Sequence, residues 1–167
     1  MPEYKVFIDT CVLFTAELRS LLLALAEMDK IKVYWSENIL QEWRRNSQYD
    51  IEAIIFKIQK DFPTAIIENY KDLENQINLQ DKADIHVVAA AAKAQCDFIL
   101  TFNTKDFPYM KLHPFGLDKI HPDLFLLKLL KKEPALIDYT NHNFSLKALE
   151  KCWLPKSCQF IQKHLED

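Results

Sequence analysis

The segment YKVFID at residues 4–9 decides the fold, because a short β-prone run ends there on an aspartate. Leucines at positions 18, 21, 22, 23 and 25 follow at helical spacing and predict a helix over residues 12–28. Residues 31–35 are short, rich in β-branched and aromatic side chains and partly alternating, which predicts a second strand. A strand, a helix and another strand in this order are typical of an α/β fold with a parallel sheet.

The elements predicted further along the chain alternate in a similar way. Ser36 is expected to cap a helix that carries Glu42, and DKAD at residues 81–84 is similar to a capping box before an alanine-rich helix. The other predicted elements are helices over residues 51–61, 85–95 and 122–130, and strands over residues 97–101 and ending at residue 120. Residues 64–80 fit neither period and receive no assignment.

The composition changes after residue 130, where the chain becomes more polar. KKEP at residues 131–134 is typical of a hinge, and three short helical segments follow around residues 135–139, 145–152 and 156–165. Pro134 and Pro155 suit first-turn positions, and Ser145 suits an N-cap. We therefore predict an α/β domain over residues 1–130 and a small helical extension over residues 131–167.

The glycine content and the charge exclude or weaken several function classes. Gly116 is the one glycine in 167 residues, so the glycine-rich loops that bring backbone close to phosphate in P-loop and Rossmann sites are absent. The formal net charge of −3 lacks the global basic field of a dedicated nucleic-acid binder. That deficit argues against passive binding of nucleic acid more strongly than against catalysis on it.

The cysteines and the apolar stretches indicate the compartment. The four cysteines have no CxxC spacing, so free thiols in a reducing environment are a better interpretation than a zinc or disulfide framework. The first residues lack the basic and apolar zones of a signal peptide, and no apolar stretch is long enough for a bilayer. We expect a cytoplasmic protein without a membrane segment.

Acidic side chains recur at the predicted ends of strands and starts of helices. Asp9 directly follows the first strand, and Asn103 comes two residues after the strand over 97–101. Both lie at the carboxyl edge of a parallel sheet, where functional residues collect. Carboxylates and amides from separate parts of the chain are the ligands that Mg²⁺ and Mn²⁺ prefer. For each acid taken singly, a helix cap or a solvated surface charge remains an alternative.

Four motifs in order across residues 6–108 resemble those of PIN domains: FIDTCVL, WSENILQEWRRN, QDKADIHVVAAAA and ILTFNTKDFP. The later segment FGLDKIHPDLFLLKLL looks like the closing strand and helix of PIN toxins similar to virulence-associated protein C. The resemblance implies a three-layer α/β/α fold. It also implies an Mg²⁺- or Mn²⁺-dependent endoribonuclease that acts on RNA and is held inactive by a protein antitoxin.

The same resemblance assigns the site residues. It implies that Asp9, Glu42, Asp84 and Asn103 hold the metal, and that Asp106 joins the first three as a catalytic acid or supports a second metal. Two positions depart from the family pattern. Cys11 stands where Asn or Ser is common, and Asn103 is an amide where an acid is expected. These departures are the support for an alternative, a catalytically degenerate PIN-fold binding or scaffold protein. A nuclease that acts on DNA or on flap structures is a third interpretation, although this chain lacks the long insertions that such nucleases generally carry.

The remaining expectations concern substrate and partners. Arg44, Arg45 and Lys105 are predicted to bind RNA phosphates, with solvated surface charge as the alternative. Thr101 is placed with the substrate-binding group, or as a residue that orients carboxylates or water. His86, two residues past Asp84, is expected to be structural or on the surface. The apolar helices between residues 12 and 61 suit a homodimer or an antitoxin groove.

Overall fold

Five short parallel strands form one sheet in the computed structural model, which describes residues 4–166. The strands are β1 (Tyr4–Ile8), β2 (Ile31–Ser36), β3 (Ile66–Ile67), β4 (Phe98–Leu100) and β5 (Asp118–Ile120), in the order β3-β2-β1-β4-β5. Val6 pairs with Val33 of β2 on one side and with Phe98 of β4 on the other. The predicted α/β class with a parallel sheet is therefore confirmed, and β1 lies at its centre.

Helices cover the sheet and complete a three-layer α/β/α arrangement. They are α1 (Thr10–Leu13), α2 (Ala16–Glu27), α3 (Glu37–Asn46), α4 (Glu52–Asp61), α5 (Lys71–Glu74), α6 (Ile85–Lys93), α7 (Tyr109–Leu112), α8 (Pro122–Lys132), α9 (Ala135–Asn143), α10 (Leu146–Lys151) and α11 (Pro155–Glu166). Helix α6 packs on β1, β2 and β4. On α8, the Phe125 ring contacts the rings of Tyr4 and Phe98. Val6, Phe7 and Ile8 are buried without alternation, as expected for a parallel strand covered on both faces.

The structure differs from the sequence prediction at several elements, and the short helices α5 and α7 were not predicted. The helix predicted over residues 12–28 is split into α1 and α2, because Thr15 adopts an extended backbone and begins a new helix. Strand β3 falls within the segment that received no assignment, since a strand of two residues is too short to have a visible period. The Ser36 cap is confirmed, because its hydroxyl accepts a hydrogen bond from Ile39 N.

The three helices after residue 134 pack onto the α/β body. Helix α11 lies against α8, and the buried carboxylate of Asp123 accepts hydrogen bonds from Lys156 N at 3.0 Å and Ser157 N at 2.8 Å. Leu149 and Ile161 belong to the same buried cluster as the strand residues. The predicted helical extension is confirmed as secondary structure, and its division from the body at residue 130 stays a prediction. Of the helices within residues 4–166, none is long and apolar enough to cross a membrane.

Candidate active site

The candidate site lies at the carboxyl edge of the sheet. Asp9 directly follows β1, and Thr101 directly follows the neighbouring strand β4. Glu42 lies in the second turn of α3, which begins where β2 ends. Asp84 is the last residue of a 3₁₀ turn, Lys82–Asp84, that leads into α6. Four segments that are distant in sequence thus contribute to one edge.

The Asp9 carboxylate is held by hydrogen bonds from three residues. Its Oδ1 accepts from Thr10 N at 2.8 Å, and its Oδ2 accepts from Thr101 Oγ1 at 2.7 Å and from Cys11 Sγ at 3.5 Å. Burial raises the pKa of Asp9, the three donors lower it, and the negative charge of Glu42 raises it. The carboxylate therefore has a fixed orientation and a carboxylate neighbour from another element.

Glu42 is held through both oxygens of its carboxylate. Oε2 accepts from Thr10 Oγ1 at 2.6 Å, and Oε1 lies 3.2 Å from His86 Nε2. Thr10 consequently links the two acids, since its amide contacts Asp9 and its hydroxyl contacts Glu42. The contact of His86 with Glu42 was not predicted. It has no local sequence signal, because the two residues lie on different helices, α6 and α3.

Asp84 lies in a region of uncompensated negative charge. Burial, followed by the charges of Asp9, Asp81 and Asp106, raises its pKa from 3.8 to about 6, while His86 acts in the opposite direction. Asp81 also caps its own turn, because its Oδ1 accepts from Ala83 N at 2.9 Å. These carboxylates are thus close enough to repel one another, and a bound cation would relieve that repulsion.

The loop after β4 carries the last two predicted site residues. Asn103 N donates to Thr101 Oγ1 at 3.0 Å, and Asp106 ends the short turn Thr104–Asp106. Both side chains are exposed. Beside them lies a cavity of about 410 Å³ that is lined by Gln80, Asp81, Lys105, Asp106 and Pro108. The loop is therefore anchored through Thr101 and leaves its polar side chains accessible.

These residues fit an open, water-rich divalent ion rather than a closed metal cage. Within residues 4–166, no three His, Cys, Asp or Glu side chains converge closely enough to enclose an ion. Mg²⁺ and related hard cations usually keep several waters and take one or two carboxylates directly. The four cysteines are free, as predicted, and burial raises the pKa of the Cys11 thiol to about 11. A protonated thiol is a poor metal ligand.

The predicted substrate-binding residues have different environments. Thr101 is fully buried and donates a hydrogen bond to Asp9, as expected of a residue that orients a carboxylate, and its contact with substrate stays a prediction. Arg44 forms ion pairs with Glu37 and Glu52, which must open before it binds a phosphate. Lys105 and Arg45 are exposed.

Comparison with known proteins agrees with the geometry. The family model described as "PIN domain" matches residues 5–105, which is more than half of the chain. A protein of Mycobacterium tuberculosis (strain ATCC 25618 / H37Rv) named "Putative ribonuclease VapC50" is 42% identical over 67 residues, covering 40% of this chain and 39% of that protein. The matched region thus covers well under half the length of this relative. The matched residues include Asp9, Glu42, Asp84 and Asn103 within the family model, and the chain belongs to the PIN domain family.

Proposed function

We propose that this protein is a divalent-metal-dependent endoribonuclease and the toxin of a toxin–antitoxin pair. The observation that carries the proposal is that Thr10 links the Asp9 and Glu42 carboxylates at the carboxyl edge of the sheet, where the charge of Asp9 also acts on Asp84. Burial and the charges of Asp9, Asp81 and Asp106 raise the pKa of Asp84 to about 6, and a bound cation would lower it again. The name of the mycobacterial relative supports the choice of RNA as substrate.

The proposed metal is Mg²⁺ or Mn²⁺, held by Asp9, Glu42 and Asp84. Asn103 completes the ligand set with its amide oxygen, and Asp106 supports the loop or a second ion. When bound, such an ion supplies an activated water at neutral pH and neutralises the charge that develops on the phosphate. Thr10 and Thr101 keep Asp9 in one orientation, and its remaining acceptor capacity would be available to the ion or its waters.

His86 has a proposed positioning role toward Glu42. Its Nδ1 is buried and has no hydrogen-bond partner among residues 4–166, whereas its Nε2 faces the carboxylate. A buried N–H without an acceptor costs about 1–3 kcal/mol. A neutral ring therefore carries its proton on Nε2, and this N–H donates a hydrogen bond to Glu42. A carboxylate has about four lone-pair sites, and Thr10 and His86 occupy two of them. Glu42 therefore keeps lone pairs for a metal or its waters.

The proposed RNA contacts are phosphate contacts from exposed cations around the acidic site. Lys105 lies beside Asp106 at the cavity next to the loop, and Arg45 is exposed on α3. Arg44 joins them only if its ion pairs with Glu37 and Glu52 open. Such contacts hold the polymer without reading its sequence.

The proposed protein partner is an antitoxin, and a homodimer is the alternative use of the same apolar surface. Helices α2 and α4 enclose a groove of about 490 Å³, which is lined by Leu23, Ile54, Ile58 and Phe62 among others. Co-expression with the product of a neighbouring reading frame, followed by size-exclusion chromatography with light scattering, tests both. A strictly monomeric chain that captures no partner contradicts this part of the proposal.

The activity is tested with Asp9→Asn and Asp84→Asn, and with Asp138→Asn on the exposed face of α9 as the matched control. We expect both site variants to lose Mn²⁺ binding in calorimetry and cleavage of single-stranded RNA, with an unchanged circular-dichroism spectrum. The control is expected to match the parent chain. If a site variant cleaves like the parent, the site is misassigned. If the parent neither binds Mn²⁺ nor cleaves RNA, the non-catalytic binding protein is the better reading.

A further inference from the structure

Trp153 is an exposed tryptophan next to the candidate site. It lies in the turn between α10 and α11, and 67% of its surface is accessible. The other two tryptophans, Trp35 and Trp43, are buried in the core. Trp153 belongs to the helical extension, so neither the four sequence motifs nor the acidic residues of the site explain why a tryptophan is exposed there.

Ring contacts join Trp153 to the loop that carries the site. Its ring lies 5.5 Å from that of Phe102 at an interplanar angle of 80°, and the Phe102 ring lies 5.2 Å from that of His121. Phe102 sits between Thr101 and Asn103, and its amide donates to Cys11 Sγ at 3.5 Å. Phe102 therefore connects the Trp153 ring to the backbone segment that carries Thr101 and Asn103.

The backbone at Trp153 is unusual for a tryptophan. Its φ of +57° places it in the left-handed region, and its amide donates to Glu150 O at the end of α10. Gly or Asn is the common residue at such a helix end. Asp29, Asn69 and Gln95 have a similar φ, so the turn does not require a tryptophan.

Two exposed lysines lie close to Trp153 in the sequence. Lys151 and Lys156 flank it, and the charge of Lys156 acts on the His121 ring. The carboxylates on that side have partners, because Asp123 accepts from two backbone amides and Glu150 accepts from Gln162 Nε2 at 3.4 Å. An aromatic face with neighbouring lysines suits a base and its phosphates, whereas a docking protein would need a continuous apolar patch.

We propose that Trp153, supported by Phe102, forms a stacking subsite for an unpaired RNA base next to the acidic site. This inference rests on the proposed endoribonuclease function and makes single-stranded RNA the substrate. The helical extension then contributes directly to substrate binding. Stacking on an aromatic side chain contributes about 1–3 kcal/mol per base, which corresponds to about a 5- to 150-fold change in affinity.

The test measures RNA binding in the Asp9→Asn background, which is expected not to cleave. A short, fluorescently labelled single-stranded RNA is titrated with each variant, and its anisotropy gives the affinity. For the chain that keeps Trp153, the emission of this exposed tryptophan is followed as well. Trp153→Gly removes the ring and suits the left-handed backbone, so the fold is expected to persist. Trp153→Tyr keeps a stacking face, and Phe56→Ala removes a similarly exposed ring, 70% accessible, from α4. Steady-state cleavage by the Trp153 variants with an intact Asp9 completes the set.

We expect RNA to quench Trp153 emission, and Trp153→Gly to weaken RNA affinity about 5- to 150-fold. KM should rise with little change in kcat, Trp153→Tyr should restore most of the affinity, and Phe56→Ala should have no effect. An abasic residue in the RNA should reduce the difference between the parent and Trp153→Gly.

Two results overturn the subsite while the endoribonuclease function stands. One is a parent chain that cleaves RNA while Trp153→Gly retains its KM and affinity. The other is a Trp153→Gly variant that binds RNA normally and loses a co-expressed protein partner, since the ring then serves that partner. If the parent chain does not cleave RNA at all, the proposed endoribonuclease function itself is overturned.

Discussion

Replacing Asp84 by asparagine is expected to stabilise the metal-free protein while abolishing its activity. The carboxylate of Asp84 is partly buried beside Asp9, Asp81 and Asp106, and without a cation these charges repel one another. Asparagine has nearly the same shape and removes one of the charges. The site is therefore predicted to be a place where function lowers stability.

The magnitude follows from the pKa of Asp84, which is raised from 3.8 to about 6. A tenfold change in proton affinity is worth about 1.4 kcal/mol, so the full shift corresponds to about 3 kcal/mol at neutral pH. Because Asp84 is only partly buried, solvent screening reduces this to about 1 kcal/mol. For a chain of this length, that free energy raises the unfolding midpoint by about 2–4 °C.

The gain depends on pH in a defined direction. When folding raises the pKa of a carboxyl, that group lowers the free energy of unfolding at pH values above its pKa in the folded state. The penalty disappears as the pH falls below its pKa in the unfolded state. The advantage of Asp84→Asn should thus be complete above about pH 6 and almost absent below about pH 3.8. High salt should reduce it, because the repulsion is partly screened.

The assay is thermal unfolding in EDTA at neutral and acidic pH, with Asp138→Asn as the control. The control is expected to unfold within about 1 °C of the parent at each pH, since exposed substitutions change stability little. Added Mn²⁺ should raise the midpoint of the parent and have little effect on Asp84→Asn. A variant that is less stable than the parent at neutral pH, or equally stable at all pH values, refutes the electrostatic reasoning.

The other predictions concern residues that hold the acids or lie between them. Thr101→Val should lower Mn²⁺ affinity and kcat/KM about tenfold, because Asp9 loses a charge-assisted hydrogen-bond donor. Thr101→Ser should retain both values. Calorimetry measures the affinity, and RNA cleavage measures kcat/KM. His86→Leu should weaken Mn²⁺ binding in calorimetry, since Glu42 loses a donor, and His86→Gln should restore part of it; equal affinity in all three chains contradicts the positioning role. Cys11 should resist iodoacetamide in the native protein at pH 8 and react after denaturation, because its thiol has a pKa of about 11; rapid native labelling in mass spectrometry would be the opposite result.

Several parts of the fold and the site could be predicted because their signals are local. A β-prone run that ends on Asp9 marks the carboxyl end of a strand, and Ser36 caps the helix that carries Glu42. Other parts have no local signal. Strand β3 has two residues and exists because it pairs with Trp35 and Ser36 of β2, so its formation depends on the sheet and not on its own sequence.

The sequence by itself predicted the order of strands and helices, because that order follows from short-range periodicity. It also proposed the acids, through the resemblance of its motifs to those of PIN domains. Only the tertiary structure decided what holds those acids. Thr101 reaches Asp9 across 92 positions and His86 reaches Glu42 across 44, and such contacts depend on how the strands are ordered and how each side chain is turned. The same is true of Trp153, which meets Phe102 because the extension folds back onto the body. No periodicity within one segment encodes a contact between two segments that only the fold brings together.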